Sequence, residues 1–388
     1  MKIVSISTIK NESDIIESFV RYHANIMDLM ILLDNGSTDD TNHIIMELKK
    51  EGYPIELIID KDKYFEPKEK YNFLLKKAFN DYGADIVCPL DADEFLTSKK
   101  SNPRDLIEKI PPKSYYTAMW KTYVPTEEDD ENDLFVPSRI KHVRDEKTET
   151  QGKVIFTKEL FVDYDATLDI GNHYILFDDK FKEEITNIED NDLNIAHFPL
   201  RSIYHTMTKV LTNYPNSRAR KVVVKDASFH YVIMFNKIKE TGSIGMDDVT
   251  EFAKQYSLIR NKGRDDFDRS VEIKIHEDPM FLDFCKDIEI KYPFKENLLS
   301  ILLENTLYFA NEIHNFKNKI DYCKKQSKSC NSDNVKKSKE SNSSTFGERL
   351  LNKSNSYRYY KNGFETFKEE NSKLKNELKY KQKLIDDL

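Results

Sequence analysis

Cysteine is scarce: Cys88, Cys285, Cys323 and Cys330 are the four in 388 residues. They are too unevenly placed for a disulfide framework and lack the paired spacing of a zinc site. Cys88, inside an apolar run, reads as a small buried hydrophobe. Long hydrophobic stretches are also missing. No run approaches the roughly 20 apolar residues that a membrane-spanning helix needs. The first residues, Met1-Lys2-Ile3-Val4-Ser5-Ile6, read as a core strand rather than a leader peptide, so a cytoplasmic protein is expected. Positive charge is in deficit as well. With 60 Lys and Arg against 68 Asp and Glu, the net charge of -8 argues against a general nucleic-acid binder. No internal repeat is visible. What remains is a chain 39% hydrophobic and 33% charged, long enough for one large or two modest domains.

Residues 1–120 alternate short β-rich runs with amphipathic stretches, the pattern of stacked βα units around a mostly parallel central sheet flanked by helices. Strands are expected over 3–7, 29–33, 55–59 and 85–90. Between them, Ile15, Ile16, Phe19, Val20, Ala24 and Met27 recur at helical spacing, with Asn11 or Ser13 as the cap. A second helix is expected over 40–50. A third starts near Pro67, which suits a first helical turn, and carries Tyr71, Leu74, Leu75 and Ala78 on one face. Residues 121–205 complete the first domain with irregular, aromatic segments, and Val154-Ile155-Phe156 and Leu160-Phe161-Val162 read as strands. Residues 206–320 read as mainly helical.

Residues 321–360 form a basic, low-complexity linker. From Asp321 to Lys361 there are ten Lys or Arg against four Asp or Glu. Such a segment cannot bury enough surface to fold alone. In 361–388, Phe364, Phe367, Leu374, Leu378, Ile385 and Leu388 sit near heptad spacing, which suits a short coiled coil and a homo-oligomer through that helix, with an isolated solvated helix as the alternative.

Two acidic motifs carry the chemistry. Asp91-Ala92-Asp93-Glu94-Phe95 follows the apolar run Ile86-Val87-Cys88-Pro89-Leu90, and residues two apart on extended chain face the same side. Asp91 and Asp93 are thus candidates to face one cation, and hard oxygen ligands suit Mn²⁺ or Mg²⁺. Such an ion would act as a Lewis acid on a departing diphosphate. An acidic triplet on a solvated loop is the competing reading. Asp34-Asn35-Gly36-Ser37-Thr38-Asp39-Asp40-Thr41 follows the second strand, where open α/β sheets bind ligands. Gly36 permits a tight turn, and Ser37 or Thr38 can cap the helix that follows. An ordinary capped β-to-α loop is the alternative.

In chain order the motifs run Thr8-Ile9-Lys10-Asn11-Glu12, Asp34-Asn35-Gly36-Ser37, then Asp91-Ala92-Asp93-Glu94. Here the chain resembles the glycosyltransferase family 2 type, with the GT-A nucleotide-diphospho-sugar-binding fold, over about residues 1–125. Glu94-Phe95 after the acidic triplet, and Lys10-Asn11-Glu12 in place of a more usual Tyr-Asn, are similar to a DxDEF-bearing branch of bacterial surface-polysaccharide transferases. The resemblance implies transfer of a sugar, with inversion, from a nucleotide-diphosphate donor of uridine type to a hydroxyl of a glycan or lipid-linked acceptor. It places Thr8 and Glu12 at the nucleotide pocket, Asp34 at the base, Asp93 on the metal and Asp91 near the ribose or the metal. In similar proteins a segment like His197-Phe198-Pro199-Leu200-Arg201-Ser202 closes over the donor. His197 is then a candidate third metal ligand, with a hydrogen-bonded structural histidine as the alternative, and Arg201, gripping with two parallel bonds, or Lys209 is a candidate partner of the diphosphate.

Inversion needs a base for the acceptor hydroxyl. Glu189-Asp190 resembles the family's base motif, although it lies in a very acidic stretch that also reads as a solvated loop, and His173 after Gly171-Asn172 is a further candidate. Lys153 is a candidate for holding phosphates. Trp120, the single tryptophan, is either a sugar-stacking ring or core. Two other functions fit parts of the pattern. A sugar nucleotidyltransferase would want a glycine-rich phosphate loop after the first strand, and residues 7–12 contain no glycine. A non-catalytic scaffold binding a nucleotide sugar or a partner would not need Asp34, Asp91 and Asp93 together. The Lys-rich linker suits peripheral contact with an anionic membrane on its inner face, and a disordered linker to a dimerising helix is the alternative.

Overall fold

The computed structural model describes residues 1–60, 67–145, 151–188, 192–218, 229–264, 266–285 and 288–296, with 298–299, 301–303 and 306–307. The chain divides into two compact units, residues 1–214 with 224–301 and residues 215–223 with 302–388. The sheet and the site it carries belong to the first.

Strands and helices alternate through the first ninety residues: β1 (Ile3–Ile9), α1 (Ile16–His23), β2 (Leu29–Asp34), α2 (Thr41–Lys50), β3 (Ile55–Ile59), α3 (Pro67–Asn80) and β4 (Ile86–Pro89). Period-two patterning sends each strand's side chains to two cores. Ile3 and Ile9 of β1, Met30 and Leu32 of β2, and Ile86 and Cys88 of β4 pack with Phe19, Val20, Ile44 and Leu48 of α1 and α2. Val4 and Ile6, Ile31 and Leu33, and Val87 face the other way, against Tyr71, Leu74, Leu75 and Ala78 of α3. A sheet apolar on both faces is covered on both.

The chain continues through β5 (Glu94–Ser98), α4 (Pro103–Ile107), β6 (Ser114–Thr122), α5 (Val136–Arg139), β7 (His142–Arg144), β8 (Gly152–Thr157) and α6 (Lys158–Tyr164). Then come β9 (Thr167–Leu168), β10 (Ile175–Leu176), β11 (Thr186–Ile188), β12 (Leu193–His197), α7 (Ile203–Arg218), α8 (Phe229–Thr241), α9 (Met246–Gln255) and β13 (Ile275–Glu277). Among the described residues the main sheet has nine strands, in the order β3-β2-β1-β4-β8-β6-β12-β5 with β11 on β6. Its β1–β2, β1–β4, β2–β3, β6–β11 and β6–β12 pairs are parallel, while β4–β8, β6–β8 and β5–β12 are antiparallel. The α/β class and the mostly parallel, helix-flanked sheet expected from the sequence are found.

Three local expectations are corrected. Residues 160–162 belong to α6, not to a strand: Leu160 and Tyr164, one helical turn apart, are buried and Val162 is 63% exposed. Neither Asn11 nor Ser13 caps α1, whose N-cap is Ile15, and neither Ser37 nor Thr38 caps α2, whose N-cap is Asp40. Those side chains and amides instead tie the two motif loops together. Beyond α9 the described chain to 296 is mostly irregular, with one short 3₁₀ turn (Ile259–Asn261) and β13, rather than helical. The linker and the 361–388 helix lie outside the described residues. Among the described residues no helix is long and apolar enough to cross a membrane.

Register sets the site. Ile9 pairs with Asp34, Asp34 with Ile59, and Ile6 with Pro89, so β1, β2, β3 and β4 end at one edge of the sheet. The loops beginning at Lys10, Asn35 and Leu90 leave that edge together. On the far side of the sheet His197 pairs with Glu94, and Phe198 N donates to Asp93 O at 2.8 Å, which carries the end of β12 back to the acidic triplet.

Candidate functional site

The first two loops are bonded to each other. Asn11, at a left-handed φ of 55°, accepts from Thr38 N through Oδ1 at 2.8 Å, and its own N donates to Ser37 Oγ at 2.9 Å. Glu12 N donates to Thr41 Oγ1 at 2.8 Å and Ser13 N to Asp39 Oδ2 at 3.1 Å. Asn tolerates that backbone better than most residues because its short side chain bonds locally. Asp34 is buried at the end of β2, where it accepts from Gly36 N and Ser37 N at 3.1–3.2 Å and from Asn42 Nδ2 at 3.0 Å. Its carboxylate holds the turn shut. Thr8 N stands 3.4 Å from Tyr71 Oη as its donor, so Thr8, Asp34 and the acidic triplet share one edge.

Asp91 and Asp93 face different cations. Asp91 accepts from Tyr71 Oη through Oδ1 at 2.6 Å and from Lys153 Nζ through Oδ2 at 2.7 Å. Its N donates to Glu94 Oε2 at 2.9 Å, and Lys153 Nζ also stands 3.5 Å from Glu94 Oε1. Burial raises the Asp91 carboxyl, but Lys153 outweighs it and the group lies below its usual range. Burial pushes the wholly enclosed Glu94 up to about 8 against the pull of Lys153. Burial alone would lower Lys153; Asp91 and Glu94 reverse that and hold its ammonium charged.

Asp93 Oδ2 accepts from Lys209 Nζ at 2.8 Å, with Arg201 Nη1 at 3.8 Å, and Asp93 Oδ1 lies 4.0 Å from His197 Nε2. Burial opposes ionisation of Asp93, yet Lys209, His197 and Arg201 hold it well below the usual carboxylate range. Arg201 is fully enclosed. It donates to Asp14 from Nε at 2.7 Å and Nη2 at 2.8 Å, to Glu12 Oε2 at 2.8 Å and to Phe198 O at 3.2 Å. One guanidinium cannot hold two buried carboxylates equally. Against the cost of burial it keeps Asp14 well below the usual range, whereas burial pushes Glu12 up to about 7. The two-pronged grip expected of Arg201 on phosphate is, in this arrangement, a grip on Asp14.

An aromatic wall stands beside Asp93. Trp120 stacks on His197 with centroids 4.4 Å apart and meets His173 edge-on at 5.3 Å. Tyr256, just after α9, packs on His197 at 5.9 Å and on His230 of α8 at 4.4 Å, and Lys209 Nζ lies 5.6 Å from the Tyr256 ring centroid. Burial brings His197 and His230 each down to about 3, so both imidazoles are neutral. His173 Nδ1 lies 2.6 Å from Gly152 O, and burial, then Lys153, lower its proton affinity.

The sequence-derived residues Glu12, Asp34, Asp91, Asp93, Lys153, His173, His197, Arg201 and Lys209 are thus linked, through contacts at this edge, into one region. Glu189 and Asp190 lie outside the described residues. Sequence reasoning missed Asp14, Tyr71, His230 and Tyr256. Tyr71 sits on the apolar stripe of α3, where a tyrosine's polar tip was the available signal, and Asp14 follows Glu12 by two. His230 and Tyr256 carried no signal.

A divalent cation fits at Asp93 and His197. Asp93 Oδ1 and the neutral His197 Nε2 face each other at 4.0 Å without a hydrogen bond, a separation that one ion can bridge. Asp91 fits less directly, since its oxygens already carry Tyr71 and Lys153. Among the described residues Glu12, Asp14 and His205 also bring ligand atoms within 4.8 Å of one another, but Arg201 is the cation already held by those carboxylates.

No protein-family model and no curated protein sequence matches the chain. Among solved structures it is similar to residues 1–349 of TarS from S. aureus, at 13% identity over 62% of this chain and 72% of that one, with a TM-score of 0.31. It is similar to the mannosyltransferase PcManGT from Pyrobaculum calidifontis, in complex with GDP-Man and Mn²⁺, at 15% identity over 56% and 63%, TM-score 0.33. It is also similar to glucosyl-3-phosphoglycerate synthase from Mycobacterium tuberculosis, in complex with Mn²⁺, UDP-Glc and phosphoglyceric acid, at 17% identity over 41% and 58%, TM-score 0.23. The chain spans less than two thirds of the length of the last two.

Proposed function

We propose that the chain is a glycosyltransferase of GT-A type that moves a sugar from a nucleotide-diphosphate donor, of uridine type, to a hydroxyl of a glycan or lipid-linked acceptor, with inversion. The observation that carries this reading is Asp93. It is an ionised carboxylate at the carboxyl ends of parallel strands, set between Lys209 at 2.8 Å and His197 at 4.0 Å. Nucleotide ligands bind at that edge of open α/β sheets.

In this reading Asp93 and His197 hold Mn²⁺ or Mg²⁺, with Asp91 beside them; the bound ion supplies Lewis-acid neutralisation of the diphosphate. Lys153 and Lys209 stay charged because of their acid partners, and present ammonium groups to the same leaving group. Asp34 shapes the turn that receives the base, while Thr8 and Glu12 line the nucleotide pocket. Arg201 holds Glu12 and Asp14 in place and steadies Asp93. Glu189, Asp190 or His173 takes the acceptor proton; of these, His173 has its proton affinity lowered by burial and then by Lys153, and it stands against Trp120.

Hydrolysis of a panel of nucleotide sugars, with and without Mn²⁺, tests the assignment. Metal-stimulated release of nucleoside diphosphate that is lost in Asp93→Asn is the expected result. No turnover with any donor or metal would favour a scaffold that binds without reacting. Peripheral membrane contact through the Lys-rich linker is tested by deleting residues 324–388, and unchanged binding to anionic vesicles would remove it.

A further inference from the structure

Tyr71 is 2% exposed, and its ring belongs to the apolar cluster that holds Leu74, Leu75, Val87 and Val154. Its hydroxyl emerges where β1 and β4 end. Thr8 N donates to it at 3.4 Å, and it stands 3.3 Å from Leu90 O and 2.6 Å from Asp91 Oδ1. A phenol has one proton to give, and the short contact to the charged acceptor takes it. On the other oxygen, Lys153 Nζ, from a side chain 3% exposed, donates to Asp91 Oδ2 at 2.7 Å. The Asp91 side chain between them is 41% exposed. Packing therefore does little to orient this carboxylate, and the bonds on its two oxygens set its rotation.

We propose that Tyr71 is a positioning residue: through Asp91 it fixes the Lys153 ammonium toward the diphosphate, and Asp91 serves that lysine rather than a divalent cation. The inference rests on the transferase reading and deepens it by giving the two aspartates of one motif separate tasks. A lysine is a point charge on a flexible four-carbon stem, so the place of its ammonium depends on its counter-charge. Asp91 is that counter-charge. A carboxylate free to turn about its own Cα–Cβ bond would carry the ammonium with it, and the Tyr71 bond removes that freedom. The same two bonds turn a divalent ion away from Asp91, since Oδ1 already takes a phenol proton and Oδ2 faces a like charge on Lys153. Asp93 differs. Lys209 holds its Oδ2, but its Oδ1 faces the neutral His197 at 4.0 Å.

Calorimetry of UDP binding across a series of Mn²⁺ concentrations tests this on the full-length wild type, Tyr71→Phe, Asp91→Ala and the double variant, each with an unfolding curve. Tyr71→Phe keeps the ring and deletes the hydroxyl. It is expected to weaken UDP about tenfold per folded molecule at saturating Mn²⁺, the size of a lost bond to a charged group. The Mn²⁺ concentration for half-maximal UDP binding is expected to stay within about twofold of the wild type, because Asp91 is not a ligand. Asp91→Ala is expected to weaken UDP at least as much. Tyr71→Phe then adds nothing, since a residue that acts through another loses its effect with it. Lys153→Met is expected to be non-additive with Tyr71→Phe in the same way. If Asp91→Ala does not fold, Asp91→Asn keeps the shape without the charge, and Tyr71→Phe is expected to lose most of its effect in that background. Additive losses overturn the proposal, and so does a Tyr71→Phe protein that is less stable but binds UDP as the wild type does. A tenfold shift in Mn²⁺ dependence in Tyr71→Phe or Asp91→Ala makes Asp91 a ligand of the cation and also overturns it. If the wild type binds no UDP at any Mn²⁺ concentration, the transferase reading fails and the proposal with it; in the other cases the proposal fails alone.

Discussion

Lys209 Nζ donates to Asp93 Oδ2 at 2.8 Å, with both side chains at most a tenth exposed. A pair so enclosed gives up much hydration, so its net worth is small, whereas breaking it strands a charge. Lys209→Met is expected to destabilise the fold by about 3 kcal/mol. Asp93→Asn together with Lys209→Met is expected to cost less than the sum of the two, because the neutral pair leaves nothing stranded. Urea denaturation of the four proteins measures the coupling. Additive losses would mean that Arg201, at 3.8 Å, is the effective partner of Asp93.

His197 faces Asp93 Oδ1 across 4.0 Å as a neutral ring. If it ligates the cation, His197→Ala is expected to raise the Mn²⁺ concentration for half-maximal donor hydrolysis by more than tenfold, at least the loss that removing a partner of a metal ligand causes. An unchanged Mn²⁺ dependence would take His197 out of the metal site and leave it as the platform for Trp120.

Asp91 and Asp93 were legible because an apolar run ends immediately before them, and a strand end fixes where such side chains go. Their division of labour was not. The lysines that separate them, Lys153 and Lys209, sit 62 and 116 positions away and arrive only through the β8 register and the packing of α7. Leu160-Phe161-Val162 misled for the opposite reason: three apolar residues in a row fit a buried strand and a short helix equally, and only the burial of Tyr164 one turn later decides. His230 and Tyr256 were invisible because aromatic residues at helical spacing look like any core. Their place beside His197 depends on which face α8 and the end of α9 turn toward β12, and periodicity does not encode that.

Buried His23 gives a pH test away from the site. Burial lowers its pKa to about 3, against a backbone hydrogen bond to Phe19 O that works the other way. The unfolded chain, with an ordinary value near 6.5, therefore binds the proton more readily than the folded protein. The stability this group contributes is present above pH 6.5 and is lost as the pH falls toward 3, by up to about 1.4 kcal/mol per pH unit. His23→Gln keeps a donor and an acceptor but cannot be charged. Urea midpoints between pH 7 and pH 4 are expected to fall less steeply in the variant than in the wild type; parallel profiles would show that His23 is protonated without unfolding.

Gly152 opens β8 beside Ala118 of β6, and a Cβ there would lie 2.5 Å from Ala118 O and 3.1 Å from Met119 Cα. Both are backbone atoms in a central strand pair, so no side chain can swing aside and the strands must part. Gly152→Ala is expected to cost about 1–3 kcal/mol of stability, as overpacking does. The consequence reaches the site because Gly152 O is the partner of His173 Nδ1 at 2.6 Å, and the next residue is Lys153, which holds Asp91. A shift of β8 therefore moves an imidazole and an ammonium group together. Donor hydrolysis is expected to fall by more than the loss of folded protein explains, with emission from Trp120 shifted because His173 packs on its edge. Comparing activity per folded molecule, by unfolding curve and Trp120 spectrum, separates the two effects. A variant that is less stable but fully active per folded molecule would show that the β6–β8 spacing supports the fold without setting the site.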